Sequence, residues 1–177
     1  MELVGEVGAV LDDQALMQAL NSTPVVDGRR QDLWRADQEL DRWAREHGGR
    51  GGDEERQWLR TARDALQAMA SATAAETRLS ELLAGVHKVP RPGASGIEWH
   101  LEAPSERRLA AELVLAWADV SERMPGRLRP CENPECRLFL LDRSRANTAR
   151  WCSMKTCGNR LKARRHQART REISGPE

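Results

Sequence analysis

The feature that most constrains this chain is the placement of its four cysteines. They form two Cys-x4-Cys pairs, Cys131/Cys136 and Cys152/Cys157, which are separated by fifteen residues, and the rest of the sequence holds no cysteine. Two short loops that each deliver two thiolates satisfy the tetrahedral coordination of zinc, with Zn–S distances of about 2.3 Å. The spacing therefore predicts one structural zinc ion bound by all four cysteines. Two disulfides, or free buried thiols, are the alternatives.

The compartment expected for the chain favours metal over disulfides. The mildly apolar stretch 4–11 has no basic residue before it and is followed by Asp12 and Asp13, which is not a secretory pattern. No apolar run approaches the roughly 18 residues of a membrane helix. We expect a cytoplasmic protein with no membrane partner, and the Arg- and Ala-rich composition indicates a bacterial source. In a reducing cytosol, paired cysteines more often hold metal than form disulfides.

The formal net charge of +1 hides two parts of opposite charge. Residues 1–126 carry 15 Lys and Arg against 22 Asp and Glu, a net charge of −7, whereas residues 127–177 carry 13 against 5, a net charge of +8. All four cysteines lie in the basic part. This asymmetry indicates two units with different partners, of which the basic one is a candidate for binding polyanions.

The first unit, residues 1–126, is expected to be mainly helical with a short β element. Apolar residues at helical spacing predict helices around 11–20, 33–43, 53–69, 79–86 and 105–120, with Ser105 as the N-cap of the last one. Val25-Val26 predicts a short strand, and no clear strand opens the chain. The two prolines and two glycines of 88–96 predict a loop. Ile97, Trp99 and Leu101 alternate with polar residues, which predicts a half-buried strand with these three inside.

The second unit, residues 127–172, is expected to be a small treble-clef-like zinc finger with four cysteine ligands that ends in a basic helix, followed by a disordered tail, 173–177. We predict a strand over 138–141, a turn over 142–147, a returning strand over 149–151, and a helix capped by Asn159 that runs from about 160 to 171. Gly158 follows the last cysteine, where a knuckle backbone turns sharply and glycine tolerates a positive φ. His166 could act as a ligand, but four thiolates already complete a structural site. Such a site has no open position for water, so hydrolysis catalysed by zinc is not expected.

The finger carries the candidate nucleic-acid contacts. Arg-rich helices suit phosphates because a guanidinium group donates paired hydrogen bonds to oxyanions. The predicted contacts to double-stranded DNA are Arg143, Arg145, Arg150, Arg160, Lys162, Arg164, Arg165, Arg169 and Arg171. A solvated basic helix, or one that docks on the acidic first unit, is the alternative.

These residues resemble the CGNR zinc finger family. The resemblance covers about 45 residues: Cys131-x4-Cys136, the stretch 150–160 with the namesake tetrad Cys157-Gly158-Asn159-Arg160, and the basic stretch 162–169. Proteins of this family usually carry the finger behind an ABATE-type α/β domain, which is described as that of stress-induced transcription regulators. The stretch Leu20-Asn21-Ser22-Thr23 resembles a motif near the start of that domain. The resemblance implies zinc binding, and DNA-binding regulation as far as the family description goes.

Three functions are compatible with the sequence. The first is a zinc-dependent, DNA-binding transcription regulator, whose first unit would sense a small-molecule effector or form a homodimer. The second is a protein-interaction adaptor, in which the basic finger binds an acidic partner or the acidic unit of its own chain. The third is an enzyme or small-molecule-binding protein with a pocket in the first unit. Its candidate pocket residues are Asn21, Asp27, Arg29 and Trp99, and its histidines are His47, His87 and His100. We expect no enzymatic activity.

Overall fold

Five helices form the bulk of the first unit. The computed structural model describes residues 3–6 (backbone only), 11–73, 75–94, 96–164 and 167. The helices are α1 (Asp13–Leu20), α2 (Asp37–Glu46), α3 (Asp53–Ala70), α4 (Glu76–Leu82) and α5 (Arg108–Arg123). This arrangement, with short antiparallel strands beside it, confirms the mixed α+β class. Among the described residues, no helix is both long and apolar enough to cross a membrane.

The hydrophobic core lies between α1, α3 and α5. The leucines that the helical periodicity predicts as core are fully buried, including Leu16, Leu20, Leu59, Leu66, Leu109 and Leu113. Helix α1 begins where Asp12 accepts a hydrogen bond from the Ala15 amide at 2.8 Å, as expected of an N-cap aspartate. The predicted strand at Val25–Val26 is confirmed as β2, which pairs with β3 (Arg29–Arg30). The Asp27-Gly28 turn between them has positive φ at both residues, as tight hairpins require.

A three-stranded antiparallel sheet lies beside the helices and overturns two expectations. Its strand order is β1 (Leu3–Glu6), β5 (Gly96–Pro104) and β4 (His87–Gly93). The stretch 88–96, predicted as a loop, is mostly strand β4. Its prolines are tolerated because β4 pairs only with β5 in the described chain, so its other side needs no N–H donors. The opening strand β1, which the sequence did not indicate, pairs with the second half of β5.

The predicted inward face of β5 is only half correct. Leu101 is buried as expected, but Ile97 and Trp99 are 64% and 60% exposed. All three lie on one face, because they alternate along the strand. The β4–β5 hairpin therefore extends beyond the helices, and its core-facing side is uncovered there.

Two helix starts also differ from the prediction. Leu33 is half exposed and α2 begins only at Asp37, because the Asp32 carboxylate accepts a hydrogen bond from the Trp34 amide and holds this segment in a turn. Ser105 does not cap α5: the helix begins at Arg108 without a side-chain cap, and the Ser105 hydroxyl donates to Glu106.

The finger contains one antiparallel strand pair, β6 (Leu128–Pro130) and β7 (Phe139–Leu141). The strand over 138–141 is thus confirmed, but its partner precedes the cysteines. The predicted returning strand at 149–151 is wrong, since these residues are irregular. A π-helical turn (Met154–Gly158) follows and runs directly into helical residues 159–164. We call the latter the terminal helix. Residues 165, 166 and 168–177, with the predicted tail, lie outside the described residues.

The finger packs directly on the helical unit. Phe139 is 5% exposed and belongs to the same hydrophobic cluster as the leucines of α1 and α5. The side-chain amide of Asn21, at the end of α1, donates to the Phe139 carbonyl at 3.2 Å and accepts from the Phe139 amide at 2.7 Å. The division of the chain at residue 126 stays a prediction, but the two parts share a specific interface.

We expect Phe139→Ala to lower the free energy of unfolding of the full chain by about 3 kcal/mol or more, because burial of a large side chain is replaced by a cavity. Chemical denaturation of the metal-loaded protein measures this change. Ile97→Ala is the matched control: its side chain is mostly exposed, so the change should stay within about 0.5 kcal/mol. Equal effects of the two substitutions would contradict the shared core.

Candidate metal centre

The first cysteine pair is held by the strand pair and a tight turn. The Cys131 amide donates to the Leu138 carbonyl at 2.9 Å, which closes the loop between β6 and β7. Within this loop, the Cys136 amide donates to the Asn133 carbonyl at 2.8 Å. Both ends of the loop are therefore fixed by backbone hydrogen bonds, and the two thiols emerge on one side of it.

The second cysteine pair is held by a helical turn. The Ser153 hydroxyl accepts a hydrogen bond from the Thr156 amide, and the Ser153 carbonyl accepts one from the Gly158 amide at 3.0 Å. Cys157 lies within this π-helical turn and is buried, whereas Cys152 precedes it and is half-buried. The last metal-ligand candidate is thus part of the helical structure that continues into the terminal helix.

The four sulfur atoms have the spacing of a tetrahedral metal site. All four cysteines are free thiols, and their Sγ atoms lie within 4.8 Å of one another. The Cys136–Cys152 and Cys152–Cys157 Sγ distances are both 3.7 Å. Sulfurs at the corners of a tetrahedron with zinc–sulfur bonds of about 2.3 Å would be roughly 3.8 Å apart. The donor set therefore fits a metal ion, and the disulfide alternative does not describe this arrangement.

Burial favours the neutral form of two of the clustered thiols. Burial raises the pKa of the Cys136 thiol to about 11, and burial together with the neighbouring Cys136 also raises the pKa of Cys152. The pKa of Cys157 is lowered, because burial, which would raise it, is outweighed by the hydrogen bond from Asn133 and those with the other cysteines. Gathering four thiolates in this space requires a compensating positive charge.

Asn133 joins the two cysteine loops. Its side chain is 1% exposed, and its amide Nδ2 donates to Cys157 Sγ at 3.3 Å across the site. Its Oδ1 accepts from the Glu135 amide at 3.2 Å, which is an Asx turn. The sequence indicated a turn at Asn133-Pro134, but not that the amide would reach a sulfur on the other loop. The signal in the sequence for this role is the presence of an asparagine inside a Cys-x4-Cys loop.

Gly158 is needed for space and not for its backbone angle. The tolerance of glycine for a positive φ is not used here, since Gly158 is not among the positive-φ glycines of the described chain. A Cβ atom at this position would lie 2.8 Å from Trp151 Cδ1 and 2.9 Å from Met154 Sδ. Both contacts are much shorter than ordinary van der Waals distances, so any larger residue would push the helical turn away from Trp151.

The loop between the cysteine pairs is organised around Asp142. This buried carboxylate accepts hydrogen bonds from the Ser144 and Ala149 amides at 2.8 and 2.7 Å and pairs with Arg129 at 2.9 Å. The Ser144 hydrogen bonds come first among the causes that lower the pKa of Asp142 to about 2, ahead of the Ala149 amide and Arg129. Arg129 also donates to the Gly126 and Ala149 carbonyls. The loop that presents the predicted DNA-contacting arginines is therefore ordered by a buried ion pair.

Three of the predicted nucleic-acid contacts already have acidic partners. Arg143 pairs with Asp13 of α1 at 2.9 Å, and Arg164 makes a two-point contact with Glu135 at 2.7 and 2.8 Å. Arg150 pairs with Glu132 and lies 4.9 Å from the Trp151 ring centre. These arginines hold parts of the chain together in addition to adding charge.

The remaining predicted cations fall into two groups. Arg145, Arg160 and Lys162 are exposed, and none of them forms a hydrogen bond or ion pair with another residue that the structure describes. Arg160 is close enough to Glu135 to contribute to the low pKa of that carboxyl, whose main cause is Arg164. The other three, Arg165, Arg169 and Arg171, lie outside the described residues, as does His166.

The candidate pocket residues are spread over three elements. Asn21 is engaged with the Phe139 backbone, Asp27 and Arg29 are exposed in the β2–β3 hairpin, and Trp99 is exposed on β5. Asn21 lines a cleft of about 510 Å³ between α1 and the finger, together with Trp151 and Cys152. The structure thus brings Asn21 to the finger and does not bring it to the other three.

The three histidines of the first unit lie in separate places. His47 follows α2, where its ring stacks on Trp43 at 4.3 Å and its Nδ1 lies 2.7 Å from the Trp43 carbonyl. His87 is exposed on β4, and His100 lies on β5 with its Nε2 3.6 Å from Glu98. The absence of enzymatic activity stays a prediction.

Comparison with known proteins bears on the finger alone. Residues 127–170 match the model of the CGNR zinc finger. This range begins just before β6 and includes all four clustered cysteines. No curated protein shows significant similarity to the chain.

We expect Asn133→Ala to weaken metal binding by about 10- to 100-fold, the usual cost of losing a residue that orients a metal ligand. Competition with a chromophoric zinc chelator measures the affinity. Asn159→Ala is the matched control, because that residue is exposed and, among the described residues, its amide donates to the Lys155 carbonyl and not to a cysteine. If both variants retained the affinity of the unsubstituted protein, the amide–sulfur contact would have no role in the site.

Acidification should release the metal. The raised pKa of Cys136 keeps its thiol protonated near neutral pH in the metal-free fold, so binding must displace the proton. Each thiol that loses a proton on binding should strengthen the apparent affinity by about tenfold per pH unit as the pH rises. Zinc titrations between about pH 6 and pH 8 test this, with calorimetry in buffers of different ionisation enthalpy to count released protons. A pH-independent affinity over this range would contradict the expectation.

Proposed function

We propose that the protein is a zinc-dependent, DNA-binding transcription regulator. The four cysteines would bind one structural zinc ion, and the basic finger would contact double-stranded DNA. The observation that supports this best is the position of Cys157, which lies in the helical turn that runs directly into the terminal helix. A metal at the cysteines would therefore fix the direction of a helix that carries exposed cations.

Zinc is the ion that suits this donor set. Four thiolates are soft ligands, and a tetrahedral set of four sulfurs is typical of zinc or iron–sulfur sites. Two loops that converge on a single closed position, with sulfur separations near those of one tetrahedron, favour a single zinc ion. When bound, the ion would supply positive charge and crosslink the two loops. Because four protein ligands complete the shell, we assign it a structural and not a catalytic role.

The exposed cations of the finger support polyanion binding. Arg145, Arg160 and Lys162 have no partner among the described residues, so phosphates could bind them without breaking an ion pair. Arg150 and Arg164 are held by Glu132 and Glu135, and DNA would compete with these carboxylates. The electrostatic surface is thus smaller than the nine cations of the sequence suggest, which predicts a moderate salt dependence.

A second candidate function is the protein-interaction adaptor. The contacts of the finger with its own helical unit favour it: Asn21 with Phe139, and Asp13 with Arg143. These contacts use β7 and the loop after it. Arg160 and Lys162 of the terminal helix stay exposed in this docked arrangement, so docking on the helical unit and binding of a second partner are compatible.

The helical unit is assigned a regulatory role as part of the same proposal. Its resemblance to an ABATE-type domain, with the associated stress response, rests on the stretch Leu20-Asn21-Ser22-Thr23. In the structure, Asn21 of this stretch contacts the finger and Ser22 and Thr23 are buried. We propose a cytoplasmic regulator in which this unit responds to an effector or to dimerisation and passes the response to the finger through that contact.

Duplex DNA should bind the zinc-loaded protein, and the affinity should fall linearly with salt on a double-logarithmic plot. Arg160→Ala and Lys162→Ala should each remove one phosphate contact. The slope of log K against log salt concentration should therefore become shallower by about one in each variant. Fluorescence anisotropy with a mixed-sequence duplex over several salt concentrations measures both quantities. Arg35→Ala, an exposed arginine of the helical unit, is the control and should leave the slope unchanged.

Cys157→Ser tests the role of the metal in the same assay. Loss of one ligand should disorder the turn that leads into the terminal helix and reduce DNA binding to that of the metal-stripped protein. Absence of duplex binding by the zinc-loaded protein at low salt would refute the proposal and leave the adaptor as the remaining candidate.

A further inference from the structure

A second cleft lies on the other side of the contact between finger and helical unit. It has a volume of about 490 Å³ and is lined from both units. Thr23 and Gln67 come from the helical unit, Arg30 from the β2–β3 hairpin, and Cys136 and Arg137 from the finger. A cleft of this size between two packed units is a common position for a small ligand.

The charges around this cleft favour an anion. Arg63 pairs with Asp32 at 2.6 and 3.0 Å and with Asp64 at 2.9 Å, so a single guanidinium serves two carboxylates. Arg30 and Arg137 are exposed at the cleft, and neither forms an ion pair in the part of the chain that the structure describes. The charged residues that line the cleft are Arg30, Arg137 and one carboxylate, Asp64, and that carboxylate is paired with Arg63. The two unpaired arginines belong to different units and face the same opening.

The wall of the cleft also offers hydrogen-bonding groups that no other described residue uses. The Gln67 amide nitrogen donates to the Leu20 carbonyl at 2.8 Å and to the Thr23 hydroxyl oxygen at 2.9 Å. These bonds use both amide hydrogens and fix the orientation of the group. The Gln67 carbonyl oxygen remains as an acceptor, and the Thr23 hydroxyl hydrogen remains as a donor. Such a pair is suited to recognise a hydroxyl group.

We propose that this cleft binds a small hydroxylated organic anion, a phosphate ester or a carboxylate. Arg30 and Arg137 bind the anionic group from opposite sides of the contact between the units. Gln67 and Thr23 bind a hydroxyl group of the same molecule deeper in the cleft. This site differs from the basic surface of the terminal helix, and its existence does not depend on DNA binding.

Ligand and metal are coupled at this site. Arg137 directly follows Cys136, and Cys136 is itself part of the cleft wall. A metal bound to Cys136 fixes the backbone that carries Arg137, so the metal-loaded protein binds the anion more tightly. By thermodynamic reciprocity, the anion then strengthens metal binding by the same factor.

Calorimetric titration of the full-length, zinc-loaded protein with sn-glycerol 3-phosphate and with inorganic phosphate tests this site. We expect glycerol phosphate to bind several-fold more tightly, because its hydroxyl groups reach Gln67 and Thr23. Arg30→Ala and Arg137→Ala should each weaken binding by about tenfold or more, the effect of losing a charge-assisted hydrogen bond. Arg35→Ala, an exposed arginine of the helical unit that does not line the cleft, is the control and should have no effect.

The outcomes separate this inference from the proposed function. Arg30 and Arg137 are exposed, so their loss should leave the melting temperature almost unchanged, and Arg→Lys variants provide a milder test of the same contacts. No binding of either anion at millimolar concentration, or equal weakening by Arg35→Ala, would overturn the site. The site would also be overturned if Arg30→Ala weakened the binding of duplex DNA as strongly as it weakened the binding of glycerol phosphate. The cleft would then be part of a nucleic-acid surface.

Discussion

Four sulfur atoms within 4.8 Å of one another are the constraint on which the finger depends. Burial raises the pKa of Cys136 and Cys152, so it opposes the thiolate forms of these two cysteines. A bound cation would offset this cost. The finger has few large apolar side chains with which to build a hydrophobic core of its own. Phe139, the only phenylalanine of the chain, packs in the core of the helical unit. We therefore infer that a metal at the four cysteines and the contact with the helical unit would supply its stability.

The contact with the neighbour is specified mainly through the backbone. The side-chain amide of Asn21 accepts from the N–H and donates to the C=O of Phe139. One residue of a neighbouring antiparallel strand would make the same two hydrogen bonds. Asp13, at the opposite end of α1, links Arg143 of the finger to Arg123 of α5. Together these contacts fix both the register and the rotation of the finger on α1. A change on either side of the contact can thus be transmitted to the other.

The sequence predicted the parts of this protein that follow from local pattern. The helices of the first unit, the short strand at Val25–Val26 and the clustering of four cysteines depend on periodicity or on spacing, and the structure confirms them. Other features depend on which distant segments pack together, and no local pattern encodes that. These are the pairing of β7 with β6, the strand β4 and the exposure of Trp99. Asn133 and Asn21 were visible as turn and motif residues, but their bonds to Cys157 and Phe139 join positions 24 and 118 residues apart. Arginine counts also do not reveal that Glu132 and Glu135 pair with two of the predicted nucleic-acid contacts, Arg150 and Arg164.

The prolines of β4 have a consequence for the behaviour of the protein in concentrated solution. Antiparallel strands direct alternate amides toward the partner, and Pro90 and Pro92 stand opposite Trp99 and Ile97 in the ladder. The edge that faces away from β5 therefore lacks N–H donors at both proline positions. A strand of another molecule could not complete a hydrogen-bonded ladder there, although the apolar side chains of Ile97 and Trp99 lie exposed nearby. This hairpin can thus present an aromatic surface to solvent while blocking the edge-to-edge pairing that leads to aggregation.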